Sequence, residues 1–164
     1  MKTRLCFIFI VFMLTSCGYH LRGWNQESID FGDLYVESRA DAEFNALLDS
    51  SLNQHKVTRV TEKESAQYLL VIHQRDKQKR IASVDSEGRA REYELLHRLV
   101  FSFADVQGQL VSRQREIVTR QDMRFSSDAL LAKEQEARQT FDDMALRAVN
   151  TMFRQLSVMM TKQD

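Results

Sequence analysis

The chain is predicted to fold as an α+β domain, with two helices packed on one four-stranded, mixed but mostly antiparallel sheet in the order β-α-β-β-β-α. Residues 93–103 alternate apolar and polar side chains, which is the period of a strand with one buried face. The apolar run at 68–72 predicts a strand buried in a sheet centre. Apolar residues recur every three or four positions towards the C-terminus and predict a long amphipathic helix over about 128–161.

The first half of the domain contains a shorter strand and helix. Residues 34–36 read as a short strand that could lie parallel to a neighbour. A helix over about 40–55 follows, because apolar side chains then recur at helical spacing, at Phe44, Leu47, Leu48 and Leu52. Ser38 is the candidate cap of this helix, with Asp41 three residues further on. Residues 57–61 are interpreted as a short extended piece.

The second half is predicted to be a meander that ends in the long helix. The strand that begins at residue 68 should continue to Val84, where residues 85–88 carry a turn signal. Residues 107–108 give a second turn after the alternating strand, and 110–125 follow as a last strand with an unusually polar middle. Residues 126–128 offer caps for the last helix.

The N-terminus has the layout of a secretory signal peptide. Lys2 and Arg4 precede ten apolar residues at 5–14, which are too few to span a bilayer that needs about 20. Small polar Thr15 and Ser16 then lead to Cys17. This ending resembles the lipobox of bacterial lipoproteins, in which the cysteine thiol receives a diacylglycerol and becomes the acylated N-terminus. The expectation is therefore an exported protein that is tethered to a membrane through Cys17.

Processing at this site would leave one lipid-anchored domain, residues 17–164, after removal of residues 1–16. The chain has 23 basic and 23 acidic side chains, and loss of Lys2 and Arg4 would leave 21 basic against 23 acidic, a net charge of −2. That balance argues against nucleic acid as a partner. Cys6 would leave with the signal peptide, so no cysteine would remain for a disulfide or a metal site.

The sequence carries no motif that would identify an enzyme. Nucleophile elbows, phosphate loops, dinucleotide fingerprints and zinc-protease motifs are all missing from it. The four histidines fall on separate predicted elements. His73 and His97 could be neighbours across a hairpin, but neither cysteines nor a placed carboxylate accompany them. We therefore predict no catalytic residues, no metal and no cofactor.

One basic cluster surrounds the predicted turn at residues 85–88. It consists of Arg75, Lys77, Lys79, Arg80, Arg89 and Arg91. Lys133 opens the last helix and could lie near the same end of the sheet. The cluster has two interpretations: a solvated strand rim that blocks edge-to-edge aggregation, or a patch that binds lipid phosphates or sugar acids.

Three segments of the chain resemble one family. Residues 17–23 read Cys-Gly-Tyr-His-Leu-Arg-Gly, Glu92 and Tyr93 open the alternating strand, and residues 131–134 read Leu-Ala-Lys-Glu. The chain thereby resembles the lipopolysaccharide-assembly lipoprotein family LptE, also called RlpB. The resemblance implies a non-enzymatic outer-membrane lipoprotein. Such a protein partners and plugs the LptD β-barrel, assists its assembly and helps deliver lipopolysaccharide to the cell surface.

The resemblance also implies where lipopolysaccharide binds, namely at the hairpin tip and the start of the last helix. Lys133 matches the helix position. Ser86 stands where the family has a tip arginine, and Arg89 and Arg91 are displaced from it by a few residues. The predicted lipopolysaccharide contacts are thus Lys133, Arg89 and Arg91. Gly18 follows the cysteine where an aspartate would signal inner-membrane retention, which favours the outer membrane, with the domain facing the periplasm or inside the barrel lumen. The alternative is a lipid-anchored cell-wall-binding or hydrolytic lipoprotein.

Overall fold

The structure is a computed structural model that describes residues 32–107, 112–125 and 129–160. Cys17 and the predicted helix caps at 126–128 lie outside these residues. The elements, in chain order, are β1 (Asp33–Ser38), α1 (Ala42–Gln54), β2 (Thr58–Val60), a 3₁₀ turn (Lys63–Ser65), β3 (Tyr68–Val84), β4 (Ala90–Asp105), β5 (Ser112–Arg124) and α2 (Leu130–Met160).

The strands form one mixed sheet in the order β2-β1-β3-β4-β5. β1 runs parallel to both β2 and β3, whereas β3, β4 and β5 form an antiparallel meander. The α+β class with two helices and a mixed sheet is confirmed, but the prediction of four strands is wrong. The fifth strand is β2, which has only three residues, two of them exposed. It pairs only with β1 at the sheet edge, where its side chains are largely exposed. Its sequence therefore has no apolar pattern that would mark it as a strand.

Strands β3 and β4 make a long hairpin, and the predicted turn joins them at residues 85–88. The Gly88 N–H donates to the Asp85 carbonyl at 3.1 Å, and the Asp85 N–H donates to the Arg89 carbonyl at 2.8 Å. Gly88 has φ +79°, a left-handed conformation that glycine adopts without a Cβ penalty. The turn therefore needs glycine for its backbone geometry.

A β-bulge between Ile72 and Gln74 changes which residues of β3 face the helices. Before the bulge, Leu70 and Ile72 are buried beneath the helices. After it, the odd-numbered residues from Arg75, opposite Leu99, to Ile81, opposite Tyr93, lie on that face, and a second bulge after Ile81 restores the first pattern. The bulge places charged side chains of β3 on the same face as the core.

Helix α1 is capped by a different residue from the one predicted. The Asp41 carboxylate accepts the Phe44 N–H at 2.9 Å, which makes Asp41 the N-cap and the prediction of Ser38 wrong. The Ser38 hydroxyl instead donates to Asn45 Oδ1 at 2.6 Å. An aspartate in this position also leaves an anion at the start of the helix, where the helix dipole favours it.

Both helices pack on one face of the sheet, and together they bury two apolar clusters. The larger cluster joins α1 and the C-terminal half of α2 to the strands, through Leu34, Phe44, Leu48, Leu70, Ile72, Leu99, Phe101, Phe103, Val149, Met152, Phe153 and others. The smaller one lies under the first half of α2 and consists of Leu95, Met123, Ala137 and Met144. Burying each leucine or phenylalanine contributes about 2 kcal/mol. The other sheet face is called the opposite face below.

Candidate functional site

The hairpin tip, residues 81–92, is organised around one carboxylate. Asp85 Oδ1 accepts the backbone N–H groups of Glu87 and Arg89, each at 2.9 Å. Asp85 Oδ2 accepts Arg89 Nε at 2.8 Å. These hydrogen bonds, the backbone one from Arg89 first, hold the pKa of Asp85 below its usual value. The turn is thus fixed by its own polar groups.

The two predicted arginines of the tip differ in their surroundings. The Arg89 side chain is 71 % exposed but is tied to the carboxylates of both Asp85 and Glu87. Arg91 is exposed and makes no ion pair with any residue that the structure describes. Its carbonyl accepts the Phe125 N–H at 2.9 Å, which joins the tip to the end of β5. Arg91 is therefore the better available cation of the two.

Lys133 lies in the first turn of α2, and its ammonium group is 2.7 Å from Glu136 Oε2. The neighbouring Glu134 accepts Lys79 Nζ at 2.6 Å, which fixes this first turn over the middle of β3. Lys79 precedes Asp85 by six residues, or about 20 Å of extended strand. The structure thus brings Arg89 and Arg91 together at the tip and places Lys133 further back along the same end of the domain.

The basic cluster proposed from the sequence is divided between the two sheet faces. Arg75, Lys77 and Lys79 lie on the helix-bearing face, where each pairs with an acidic residue of α1, its cap or α2. Arg80 lies on the opposite face and pairs with Glu94. The bulge in β3 and the alternation of the strand produce this division, so the six residues do not form one rim.

Lys79 sits among aromatic rings that the sequence did not single out as part of a site. Its Nζ is 4.6 Å from the centroid of the Tyr93 ring and 6.0 Å from that of Phe125. The two rings meet edge to face, with centroids 5.2 Å apart. Such contacts stabilise a cation electrostatically. Tyr93 was predicted only as a core-facing strand residue. Its contact with Phe125, at the end of β5, could not be identified without the register of β4 against β5.

A second polar group, which we call the polar junction, lies where α1, β3 and β4 meet. It consists of Asp41, Arg75 and His97, of which Arg75 and His97 are buried and Asp41 is half exposed. The Arg75 side chain is only 2 % exposed, and its Nη1 donates to both Asp41 oxygens at 2.7 and 2.6 Å. Arg75 Nε lies 3.2 Å from His97 Nε2, and its guanidinium carbon is 5.1 Å from the centroid of the Phe44 ring. Asp41 therefore both caps α1 and neutralises a buried cation.

His97 is fully buried in the polar junction and is neutral at neutral pH. Because Arg75 Nε donates to His97 Nε2, the ring hydrogen is on Nδ1, which has no hydrogen-bond partner among the described residues. Burial, followed by the positive charge of Arg75, lowers the pKa of His97 to about 4. The sequence indicated an ordinary strand histidine rather than a metal ligand, and it gave no sign of the pairing with Arg75.

The two strand histidines do not form a shared site. His97 faces the helices, whereas His73 Nε2 lies 2.8 Å from Ser102 Oγ on the opposite face. Among residues 32–107, 112–125 and 129–160, no group of three histidines, cysteines or carboxylates is arranged to hold a metal ion. In the same residues, no helix combines the length and apolar character that crossing a membrane requires.

The architecture is that of lipoproteins of known structure. A lipoprotein B from Nitrosomonas europaea is 27 % identical, with a TM-score of 0.74 over 88 % of this chain and 93 % of that one. The rare lipoprotein B from Shewanella oneidensis is 18 % identical, with a TM-score of 0.70 over 80 % of this chain and 98 % of that one. A minor lipoprotein from Acinetobacter baumannii is 15 % identical, with a TM-score of 0.60 over 79 % and 93 %. The last two show the shared fold alone.

The family model LptE, described as lipopolysaccharide-assembly, matches residues 28–156. The chain belongs to the LptE family of lipopolysaccharide-assembly lipoproteins, which confirms the resemblance noted in its sequence. The family is non-enzymatic, so the hydrolytic alternative is excluded. None of the curated proteins matches the chain at a significant level.

Proposed function

We propose that this protein is the lipoprotein partner of an LptD-type β-barrel in the outer membrane. In this function the domain occupies the barrel lumen, assists assembly of the barrel and takes part in delivering lipopolysaccharide to the cell surface. The observation that carries the proposal is the LptE family match over residues 28–156 of a domain with the same fold as other lipoproteins of this type.

The opposite face of the sheet has a surface that suits a hydrated, polar lumen. Arg98 lies 2.5 Å from Glu116 and 3.9 Å from Asp76, and Glu94 lies within 4.0 Å of Arg120. Charges that are paired within the face need no partner of opposite sign on the facing wall. A barrel wall lined by polar groups and water could therefore contact this face without leaving a buried charge unpaired.

Co-purification and depletion test the partnership. The mature protein should co-purify from outer membranes with one barrel protein, identified by its mass, and should resist proteolysis in that complex. Depletion of the protein should lower the amount of correctly assembled barrel and admit large hydrophobic antibiotics. Recovery of peptidoglycan in place of a barrel, or unchanged barrel levels and permeability after depletion, would contradict the proposal.

We expect Cys17 to be the lipidated residue and residues 1–16 to be removed. A triacylated cysteine would bury several dozen CH₂ groups at about 0.8 kcal/mol each, which makes anchoring effectively permanent. Cys17→Ala should therefore accumulate as unprocessed precursor, detected by its mass. The mature wild-type protein should carry acyl mass and fractionate with the outer membrane. Mature protein without acyl groups, or in the inner membrane, would show the expectation to be wrong.

Lys133, Arg89 and Arg91 are proposed to contact the phosphates or sugar acids of lipopolysaccharide. A direct charge-assisted contact contributes about 1.5–3 kcal/mol, so changing all three to alanine should weaken binding at least tenfold. Each residue is exposed or paired at the surface, so each change should cost at most about 0.5 kcal/mol of folding stability. Binding of purified lipopolysaccharide and the melting temperature measure the two effects.

A triple variant with the same change in net charge provides the control. Arg59, Arg147 and Arg154 lie at the surface and away from the hairpin tip, on β2 and the middle and C-terminal part of α2. Their replacement by alanine should leave lipopolysaccharide affinity close to that of the wild type. Equal losses of affinity in both triple variants would indicate general electrostatic attraction, and the hairpin cations would then be a solvated rim.

A further inference from the structure

Four large apolar side chains are exposed at the end of the domain that carries the predicted lipopolysaccharide contacts. Their exposed fractions are 58 % for Ile81, 54 % for Val84, 52 % for Leu130 and 86 % for Leu131. We call these four residues the distal apolar patch. Exposed apolar residues that gather at one place on a monomer mark a surface that binds something.

The strand register places the β3 members of this patch on the helix-bearing face. Ile81 is opposite Tyr93, which lies on that face with Leu95. Ser83 bonds to Glu92 on the opposite face, and strand alternation returns Val84 to the side of Ile81. Neither residue is covered by α2, because the first turn of the helix reaches the sheet at Lys79.

Leu130 extends the same surface from the helix. It precedes Glu134 by four residues, so it lies on the same side of α2, one turn nearer the hairpin tip. Glu134 faces the sheet through its contact with Lys79. The projecting hairpin and the first turn of α2 therefore form an open corner, with the paired rings of Tyr93 and Phe125 beside Lys79 at its inner end.

Two cations border this corner. Arg91 is exposed without an ion pair among the described residues. Lys133, which pairs with Glu136, follows Leu130 by three residues and is therefore its neighbour on the surface of α2. Hydrocarbon surface next to cations is complementary to an amphiphile with an anionic head group and apolar chains.

We propose that the distal apolar patch binds the acyl chains of lipopolysaccharide while the neighbouring cations bind its phosphates or sugar acids. The inference rests on the proposed function and extends it, since it assigns hydrocarbon contacts to residues that carry no charge. It requires that affinity depend on the acyl chains of the ligand as well as on its anionic groups.

The test compares an apolar-patch variant with the wild type. Ile81→Thr and Val84→Thr keep β-branched residues in the strand, and Leu131→Gln keeps a good helix former in α2. The control carries the same types of change at other exposed positions of α2, Leu146→Gln and Val158→Thr, which are 40 % and 57 % exposed. The probes are intact lipopolysaccharide and the same lipopolysaccharide after complete removal of its acyl chains. Melting temperatures show that both variants are folded.

The apolar-patch variant should bind intact lipopolysaccharide at least tenfold more weakly than the wild type and the control. The deacylated probe should bind the wild type at least tenfold more weakly than the intact probe, and it should not distinguish the wild type from the apolar-patch variant. Equal affinity of the wild type for both probes, or an unaffected apolar-patch variant, would overturn the inference.

The outcome also separates this inference from the proposed function. If the wild type and the apolar-patch variant bind intact lipopolysaccharide equally while the Lys133, Arg89 and Arg91 triple variant loses affinity, only the acyl-chain contacts are wrong. If the wild type binds neither probe, lipopolysaccharide binding fails, and the inference is overturned with it.

Discussion

Replacing Arg75 by alanine should lower the free energy of unfolding by about 3 kcal/mol, because it removes a buried side chain together with its hydrogen bonds and its aromatic contact. The Arg75 side chain is 2 % exposed and donates to both oxygens of Asp41. Its loss would leave His97 Nε2 without a donor and open a cavity against the Phe44 ring. Urea unfolding followed by circular dichroism measures the change.

Arg98→Ala is the matched control, since Arg98 is also a strand arginine with carboxylate partners. It lies on the opposite face, 39 % exposed, between Glu116 and Asp76. Exposed ion pairs contribute about 0–1 kcal/mol, so this variant should remain within about 1 kcal/mol of the wild type. Similar losses in the two variants would mean that burial of Arg75 adds nothing to the strength of its contacts.

The polar junction and the ion pair beside it fix the start of α1 to the sheet. Asp41 holds the start of α1 to Arg75 of β3, and Glu43, in the first turn of α1, lies 2.9 Å from Lys77 of the same strand. Burial, followed by the neighbouring Glu43 carboxyl, raises the pKa of Asp142 in α2, because two carboxyl groups close together resist ionising together. A domain that is proposed to fill a barrel lumen needs a fixed outline, and the contacts of Asp41 and Glu43 set the position of α1 on β3.

The helices and the three long strands were predictable because their apolar residues follow one period over many positions. The alternation through β4 and the spacing of the buried residues of α2 placed both elements correctly, apart from a few end residues. The continuation of β3 beyond residue 72 was also predicted. The sheet face on which each of its side chains lies was not. A one-residue bulge reverses the side on which the following residues of β3 lie, up to the next bulge after Ile81, and no feature of the sequence marks either bulge.

The parts that sequence reasoning missed depend on contacts between distant segments. β2 is a strand only because α1 returns the chain to the edge beside β1, and Thr58–Val60 carries no pattern of its own. The cap of α1 is Asp41 rather than Ser38, and the Asp41 carboxylate also accepts a hydrogen bond from Arg75 of β3. Likewise, the surroundings of Arg89, Arg91 and Lys133 follow from turn and helix geometry. Charge counting alone could not show that Arg89 and Lys133 already have carboxylate partners.

Acidification should destabilise the domain through His97, whose pKa burial and Arg75 lower from 6.5 to about 4. Between these two values the unfolded chain binds the proton more readily than the folded one, so the stabilisation is complete above about pH 6.5 and is lost as the pH falls towards 4. At about 1.4 kcal/mol per pKa unit, the full loss is about 3 kcal/mol. The structural reason is that a protonated His97 would be a second buried cation beside Arg75.

His97→Gln should remove most of this pH dependence, because a glutamine oxygen can accept from Arg75 Nε but does not titrate. Its unfolding free energy should change less between pH 7 and pH 4 than that of the wild type, by about 2–3 kcal/mol. His73→Gln makes the same change on the opposite face, where the ring contacts Ser102, and leaves the Arg75–His97 pair intact. That control should keep the wild-type fall in stability. A wild-type curve as flat as that of His97→Gln would show that protonation of His97 does not oppose folding, and the polar junction would then tolerate a second cation.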